Sequence, residues 1–222
     1  VYLRSVATLL AREPAAQALV MVPEINLTPQ LEARFKARFG AEAVVSLHSG
    51  MTNPQRLASW LAAHGGAARI VLGTRMAVFA SMPALRLIVV DEEHDPSYKQ
   101  QEGARYSARD LAVWRGRREG AKVILGSATP SLESWHRSRP AEGEDAGGSY
   151  RRLAMPSRVG AGALPAVRLV DMNLQPPKTV LSGALLDAIG QRIARGEQSM
   201  VFLNRRGYAP VLACGDCGWK SE

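Results

Sequence analysis

The chain has 222 residues, 46% apolar and 22% charged, a globular composition with room for one large or two modest domains. Lysine and arginine outnumber aspartate and glutamate 28 to 20, and the net charge of +8 favours nucleic acid over a membrane surface because no basic amphipathic helix stands out. The longest apolar runs reach about half of the ~20 residues a spanning helix needs, charges at Arg4, Arg12 and Glu13 break the one signal-like stretch, and both cysteines share one CxxC; a membrane partner and a disulfide framework are therefore excluded and a cytoplasmic location is expected.

Leu3, Val6, Leu9 and Leu10 lie on one face of an opening helix. Ala18 to Val22 reads as a strand, and Thr28 as N-cap with Pro29 in the first turn predicts a helix to about Phe39. Strand then alternates with helix: a strand over Ala43 to Leu47, a helix from Asn53-Pro54 carrying Leu57, Trp60 and Leu61, and a strand from Arg69 to Leu72 before Gly73-Thr74-Arg75. The run Leu87-Ile88-Val89-Val90 predicts a strand buried on both faces that stops at Asp91-Glu92-Glu93-His94. A polar and aromatic loop follows from Asp95 to Tyr106, then a helix opened by a Ser107/Asp110 capping-box pattern, with Arg115, Arg117 and Arg118 as its solvated face. Lys122 to Leu125 is the next strand and ends at Gly126-Ser127-Ala128-Thr129-Pro130. Trp60, Trp114 and Trp135 are expected to pack in the core or at an interface.

Alternation of this kind predicts an α/β fold with a parallel, doubly wound sheet, because parallel neighbours need crossover helices. The first domain is expected over residues 1–138, and 139–178 read as a surface loop and interdomain connection with short strands at Arg151 to Met155 and Val167 to Asp171. Residues 179–213 begin a second unit, with a helix capped by Ser182 and ending at Gly196 and a strand from Ser199 to Leu203, and 214–222 hold the CxxC.

Parallel topology gathers Gly73-Thr74-Arg75, Asp91-Glu92-Glu93 and Ser127-Ala128-Thr129 on one sheet edge, the edge where ligands bind in open α/β sheets. Adjacent carboxylates at Asp91 and Glu92 suit magnesium-nucleotide hydrolysis, one holding the cation and one orienting water, or they form a solvated acidic turn. Ser127 and Thr129 could bond to the acidic turn or merely satisfy their own backbone. Tyr98, Lys99, Gln100, Gln101 and Tyr106 offer stacking faces and phosphate donors, or line a surface loop whose tyrosines pack inward. Cys214 and Cys217 supply half of a tetrahedral zinc site or a redox pair, and a redox pair should open a helix, which this one does not. His48, alone at a strand end, carries no assignment.

In order along the chain, VPEINLTPQ (22–30), LGTRMAVF (72–79), VVDEEHDPSYKQQEGARYSARDLA (89–112), LGSATPSLESW (125–135) and FLNRRGYAP (202–210) resemble the replication-restart helicases of superfamily 2. The resemblance runs over essentially the whole chain, and SYKQQEGARY with LNRRGYAP is far more specific than DEEH alone. It implies a RecA-like helicase lobe without its phosphate-loop strand, the start of a second RecA-like lobe, and half of a cysteine-rich zinc insertion. It also implies ATP and Mg²⁺ at Asp91 and Glu92, with Glu93 and His94 completing the acidic motif and Ser127 and Thr129 coupling hydrolysis to strand movement. By the same resemblance Pro23, Glu24, Thr28, Gly73, Thr74, Arg75, the aromatic loop (Tyr98, Lys99, Gln100, Gln101, Tyr106) and Asn204, Arg205 and Arg206 meet DNA, and Cys214 and Cys217 bind Zn²⁺. Forked or single-stranded DNA, primosome proteins and single-strand-binding proteins are the implied partners.

No GxxxxGK[ST] occurs in these residues, and the resemblance implies that the phosphate-binding loop lies just before Val1; a start at Val1 inside a helix and an end just behind half a zinc motif make both ends read as cut. A zinc-containing nucleic-acid-binding module with a non-hydrolytic nucleotide fold, or another superfamily 2 translocase, are the competing expectations.

Overall fold

The computed structural model describes residues 1–23, 29–142, 147–156, 165–176, 179–202 and Cys217. The chain divides into two units, Val1–Ala154 and Met155–Glu222.

The first unit runs α1 (Tyr2–Arg12), β1 (Gln17–Met21), α2 (Pro29–Phe39), β2 (Val44–Leu47), α3 (Asn53–His64), β3 (Ile70–Gly73), β4 (Leu85–Val90), α4 (Ala108–Glu119), β5 (Lys122–Leu125) and α5 (Leu132–Arg137). Single 3-10 turns at Arg75–Phe79 and Pro96–Tyr98 follow β3 and β4. The five strands are all parallel in the order β2-β3-β1-β4-β5, so the predicted doubly wound sheet forms. One core, containing Leu19, Met21, Val71, Ile88 and Val90, takes in Ala63 of α3 and Ala108 and Ala112 of α4. The other, containing Ala18, Val20, Leu72, Leu87 and Val89, packs under Val6 of α1 and Phe35 of α2. Apolar side chains on both faces explain why these strands read as unbroken hydrophobic runs.

The register aligns the strand ends that matter. Met21 pairs with Gly73 on one side and Val90 on the other, and Val90 pairs with Leu125. Gly73, Asp91 and Gly126 therefore leave the sheet side by side. Gly73 has to be small: a Cβ there would sit 2.2 Å from the Ala77 methyl and 2.6 Å from the Leu47 carbonyl oxygen.

A buried glutamine ties the opposite edge together. The fully buried Gln17 donates through Nε2 to the carbonyls of Ala63 (2.7 Å) and Ala68 (2.9 Å) and accepts at Oε1 from the Ala84 amide (3.0 Å). One side chain thus satisfies three backbone groups from the end of α3, the entry to β3 and the entry to β4.

Several expectations are corrected. Arg115 is buried, donating to the Val78 carbonyl (2.8 Å) and to Glu119 (2.7 Å), so only its neighbours Arg117 and Arg118 belong to an exposed face. Leu57, Trp60, Leu61, Trp114 and Trp135 are largely exposed; Trp60 stacks on His64, and Trp114 and Trp135 lie beneath the guanidinium groups of Arg118 and Arg152. Of the two placements expected for the tryptophans, the core is thereby excluded; the fully buried residues that α3 and α4 give to it are small, Ala63, Ala108 and Ala112. Residues 151–155 and 167–171 form no strand, and 199–202, the described part of the strand expected from Ser199, are likewise irregular. The first of these segments instead fastens to α5, where the Tyr150 amide donates to the Arg137 carbonyl (2.8 Å) and Arg152 to that of Trp135 (2.9 Å).

In the second unit Ser182 accepts the Leu185 amide and caps α6 (Gly183–Ala194), and a 3-10 turn spans Met172–Leu174. No helix among the described residues is long and apolar enough to cross a membrane.

Candidate functional site

The acidic turn starts one residue beyond β4, where the Asp91 amide still donates to the Met21 carbonyl (2.9 Å) and so continues the ladder. Glu92 then takes φ +46°, the one left-handed non-glycine backbone among the described residues. That reversal breaks the strand at the point where two carboxylates have to stay at its end. Beyond it the Glu93 amide donates to the Gly126 carbonyl (3.0 Å), which joins the acidic turn to the end of β5.

Asp91 is held by two phenols. Tyr2, in the first turn of α1, donates to its Oδ1 (2.7 Å), and Tyr98, in the 3-10 turn of the aromatic loop, donates to its backbone carbonyl (2.7 Å). Burial, and then the bond to Asp91 and its charge, push the Tyr2 phenol well above the ordinary tyrosine range. Burial also raises Tyr98, with the Asp91 charge next in importance. Both therefore remain neutral donors.

Glu92 and His94 connect this turn to the next strand end. His94 Nδ1 lies 2.7 Å from Ser127 Oγ and 3.6 Å from the Glu92 carboxylate, and Nε2 lies 3.3 Å from Thr129 Oγ1. The Thr129 amide in turn donates to Ser127 Oγ (2.9 Å). His94, Ser127 and Thr129 are thus one hydrogen-bonded set with the Glu92 carboxylate at ion-pair distance from it, while Asp91 is held separately by Tyr2 and Tyr98.

Glu93 stands apart from the chemistry expected of it. Its carboxylate is buried and accepts from the Ser131 amide (2.7 Å), Ser131 Oγ (3.1 Å), Ser134 Oγ (2.9 Å) and Arg109 (3.3 Å). Those four donors fill its acceptor positions and turn it into an anchor for the start of α5.

The residues expected to meet DNA divide by accessibility. Gly73, Thr74, Tyr98 and Pro23 are buried, whereas Lys99 and Gln101 are exposed. Arg75 Nη1 donates to the carbonyls of Ser97 (2.8 Å) and Lys99 (3.2 Å), and Lys99 Nζ to that of Arg105 (2.8 Å), so the basic groups brace the aromatic loop. The Gln100 amide closes it onto the Tyr106 carbonyl (2.9 Å), and the Tyr106 ring meets Phe79 edge-on at 5.0 Å. Glu24, Thr28, Asn204, Arg205, Arg206 and Cys214 lie outside the described residues. Cys217 is an exposed free thiol, and no cluster of three metal-ligating side chains occurs among the described residues.

Tyr2, Gly126 and Arg109 went unnoticed in the sequence. Tyr2 carried no motif of its own, and its partner Asp91 is 89 residues away, so only the docking of α1 under the sheet brings them together.

A parallel five-stranded sheet with an Asp-Glu turn wired to a Ser-Ala-Thr turn is the arrangement of a helicase motor lobe. The sequence pattern of the DEAD/DEAH box helicases matches residues 1–137, and the chain belongs to that family. It is 40% identical over 222 residues to the replication restart protein PriA of Bacillus subtilis, covering 99% of this chain and 26% of that protein. The Haemophilus influenzae PriA is 43% identical over 222 residues, covering 100% of this chain and 29% of the relative, so the chain spans between a quarter and a third of such proteins. Among solved structures, Mycobacterium smegmatis helicase Lhr bound to ssDNA and AMP-PNP aligns with 55% of this chain and 15% of its own at a TM-score of 0.40 and 20% identity.

Proposed function

We propose that this chain is the motor-lobe segment of an ATP-dependent 3′-to-5′ DNA helicase that acts at stalled or collapsed forks and restarts replication by primosome assembly. The observation that carries the reading is the linked set Tyr2–Asp91 and Glu92–His94–Ser127–Thr129 on the same sheet edge as Arg75 and the aromatic loop. Likeness to replication restart proteins over nearly the whole chain supports the biological setting.

The donor set suits Mg²⁺. Two neighbouring carboxylates, with nucleotide phosphates and water completing the shell, are the hard oxygen ligands that ion takes. The cation, when bound, neutralises phosphate charge. Asp91 would hold it, and Glu92 would orient the attacking water and accept its proton. His94 touches both Glu92 and the Ser127–Thr129 turn, so a shift in the acidic turn would reach the end of β5 directly. Tyr98 joins Asp91 to the loop that Arg75 braces, and exposed Lys99 and Gln101 would meet phosphate or an unpaired base. Pro23, Glu24, Thr28, Asn204, Arg205 and Arg206 would add DNA contacts. Cys214 and Cys217 would contribute two thiolates to a Zn²⁺ site completed by further ligands. A cytoplasmic protein working with primosome and single-strand-binding proteins fits this reading.

The 222 residues contain no phosphate-binding GxxxxGK[ST], so we expect them not to hydrolyse ATP by themselves. The test uses the full-length gene product: DNA-stimulated ATP hydrolysis is expected, and Glu92→Gln should lower it at least about a hundredfold while leaving DNA binding in place. Undiminished turnover in Glu92→Gln would refute the assignment.

A further inference from the structure

The geometry points to Tyr2 as a positioning residue for Asp91: its phenol fixes the carboxylate plane and leaves Oδ2 open for a cation, with Gly126 kept side-chain-free to admit the phenol. The inference rests on the proposed role of Asp91 as the cation-holding group.

Asp91 has three acceptor atoms. Tyr2 occupies Oδ1, Tyr98 occupies the backbone carbonyl, and among the described residues no hydrogen bond reaches Oδ2. An aspartate carboxylate rotates within a broad torsional well, and at a strand end nothing else would hold its plane. A phenol at 2.7 Å on one oxygen removes that freedom and leaves the other oxygen committed to a ligand. In that bond the phenol O–H donates and the carboxylate oxygen accepts.

The placement is built in from two sides. α1 is docked under the sheet by fully buried Val6, with Leu3, Leu9 and Leu10 packed around the same core, so the first-turn tyrosine arrives at the end of β4 on a rigid arm. At the end of β5, a Cβ on Gly126 would lie 1.8 Å from the Tyr2 hydroxyl oxygen and 2.9 Å from the ring carbon that bears it. The hydroxyl therefore sits in a notch that only glycine leaves open. Phenylalanine would fill the same apolar space, so what tyrosine adds at this position is its hydrogen bond to Asp91.

The test measures cation binding directly, in the full-length gene product with ADP, by following free Mn²⁺ by electron paramagnetic resonance. Asp91→Asn should abolish tight binding of Mn²⁺. Tyr2→Phe should weaken it on the order of tenfold, as loss of a partner to a metal-binding group does, while metal-free ADP binding stays unchanged. Gly126→Ala should produce the same loss by expelling the phenol, and should add nothing in a Tyr2→Ala background. Parent-like Mn²⁺ affinity in Tyr2→Phe, with affinity lost in Asp91→Asn, would overturn the role of Tyr2 alone. Retained affinity in Asp91→Asn would overturn both this inference and the cation assignment beneath it.

Discussion

Glu93 shows how neighbours in one motif divide their work. It follows Glu92 directly, yet its carboxylate is buried against Ser131, Ser134 and Arg109. Removing it would leave the Ser131 amide without its acceptor and take from the largely buried Arg109 one of its two carboxylate partners, Asp110 remaining. Glu93→Ala is therefore expected to lower stability by about 2–4 kcal/mol, with Glu93→Gln losing roughly half as much because an amide oxygen still accepts. Thermal or urea unfolding would check this, and an unchanged midpoint in Glu93→Ala would contradict the anchoring role. At Glu92 the backbone itself is the cost: a left-handed non-glycine residue stores on the order of 1 kcal/mol or more, held in place by the ladder before it and the Gly126 contact after it.

Among the elements, the entry edge of the sheet depends on one polar side chain as the exit edge depends on several. Gln17→Ala would strand the carbonyls of Ala63 and Ala68 and the amide of Ala84 and open space between α3, β3 and β4. A loss of about 3 kcal/mol is expected, measured by chemical denaturation. A loss below about 1 kcal/mol would mean that water replaces the side chain. The strand-helix alternation, the parallel sheet and the acidic strand end were legible in the chain, because fully buried parallel strands write themselves as apolar runs that stop at polar turns. Gln17, Tyr2 and the buried Arg115 were not legible, since each is a polar residue whose partner comes from a distant segment. For the tryptophans the sequence left core and interface open, and their exposure removes the first.

At the scale of the whole molecule, β5 forms one end of the sheet among the described residues, and its Val123, Ile124 and Leu125 are only half-buried while the strands inside the sheet are sealed. A parallel strand with a free edge is a template for pairing. The 222-residue chain produced by itself is therefore expected to self-associate as concentration rises, and light scattering reads this directly. A monodisperse monomer at high concentration would show that the edge is protected. The strand order has a further consequence, one of timing. β1 precedes both of its neighbours in the chain and is the centre of the five-stranded sheet, yet Met21 waits for Gly73 on one side and Val90 on the other. Every pairing of the central strand is long-range, so folding must close large loops before β1 gains either neighbour, which makes it slow. During synthesis that same apolar strand emerges with both edges bare, and the nascent chain is then most vulnerable to aggregation and most dependent on chaperones.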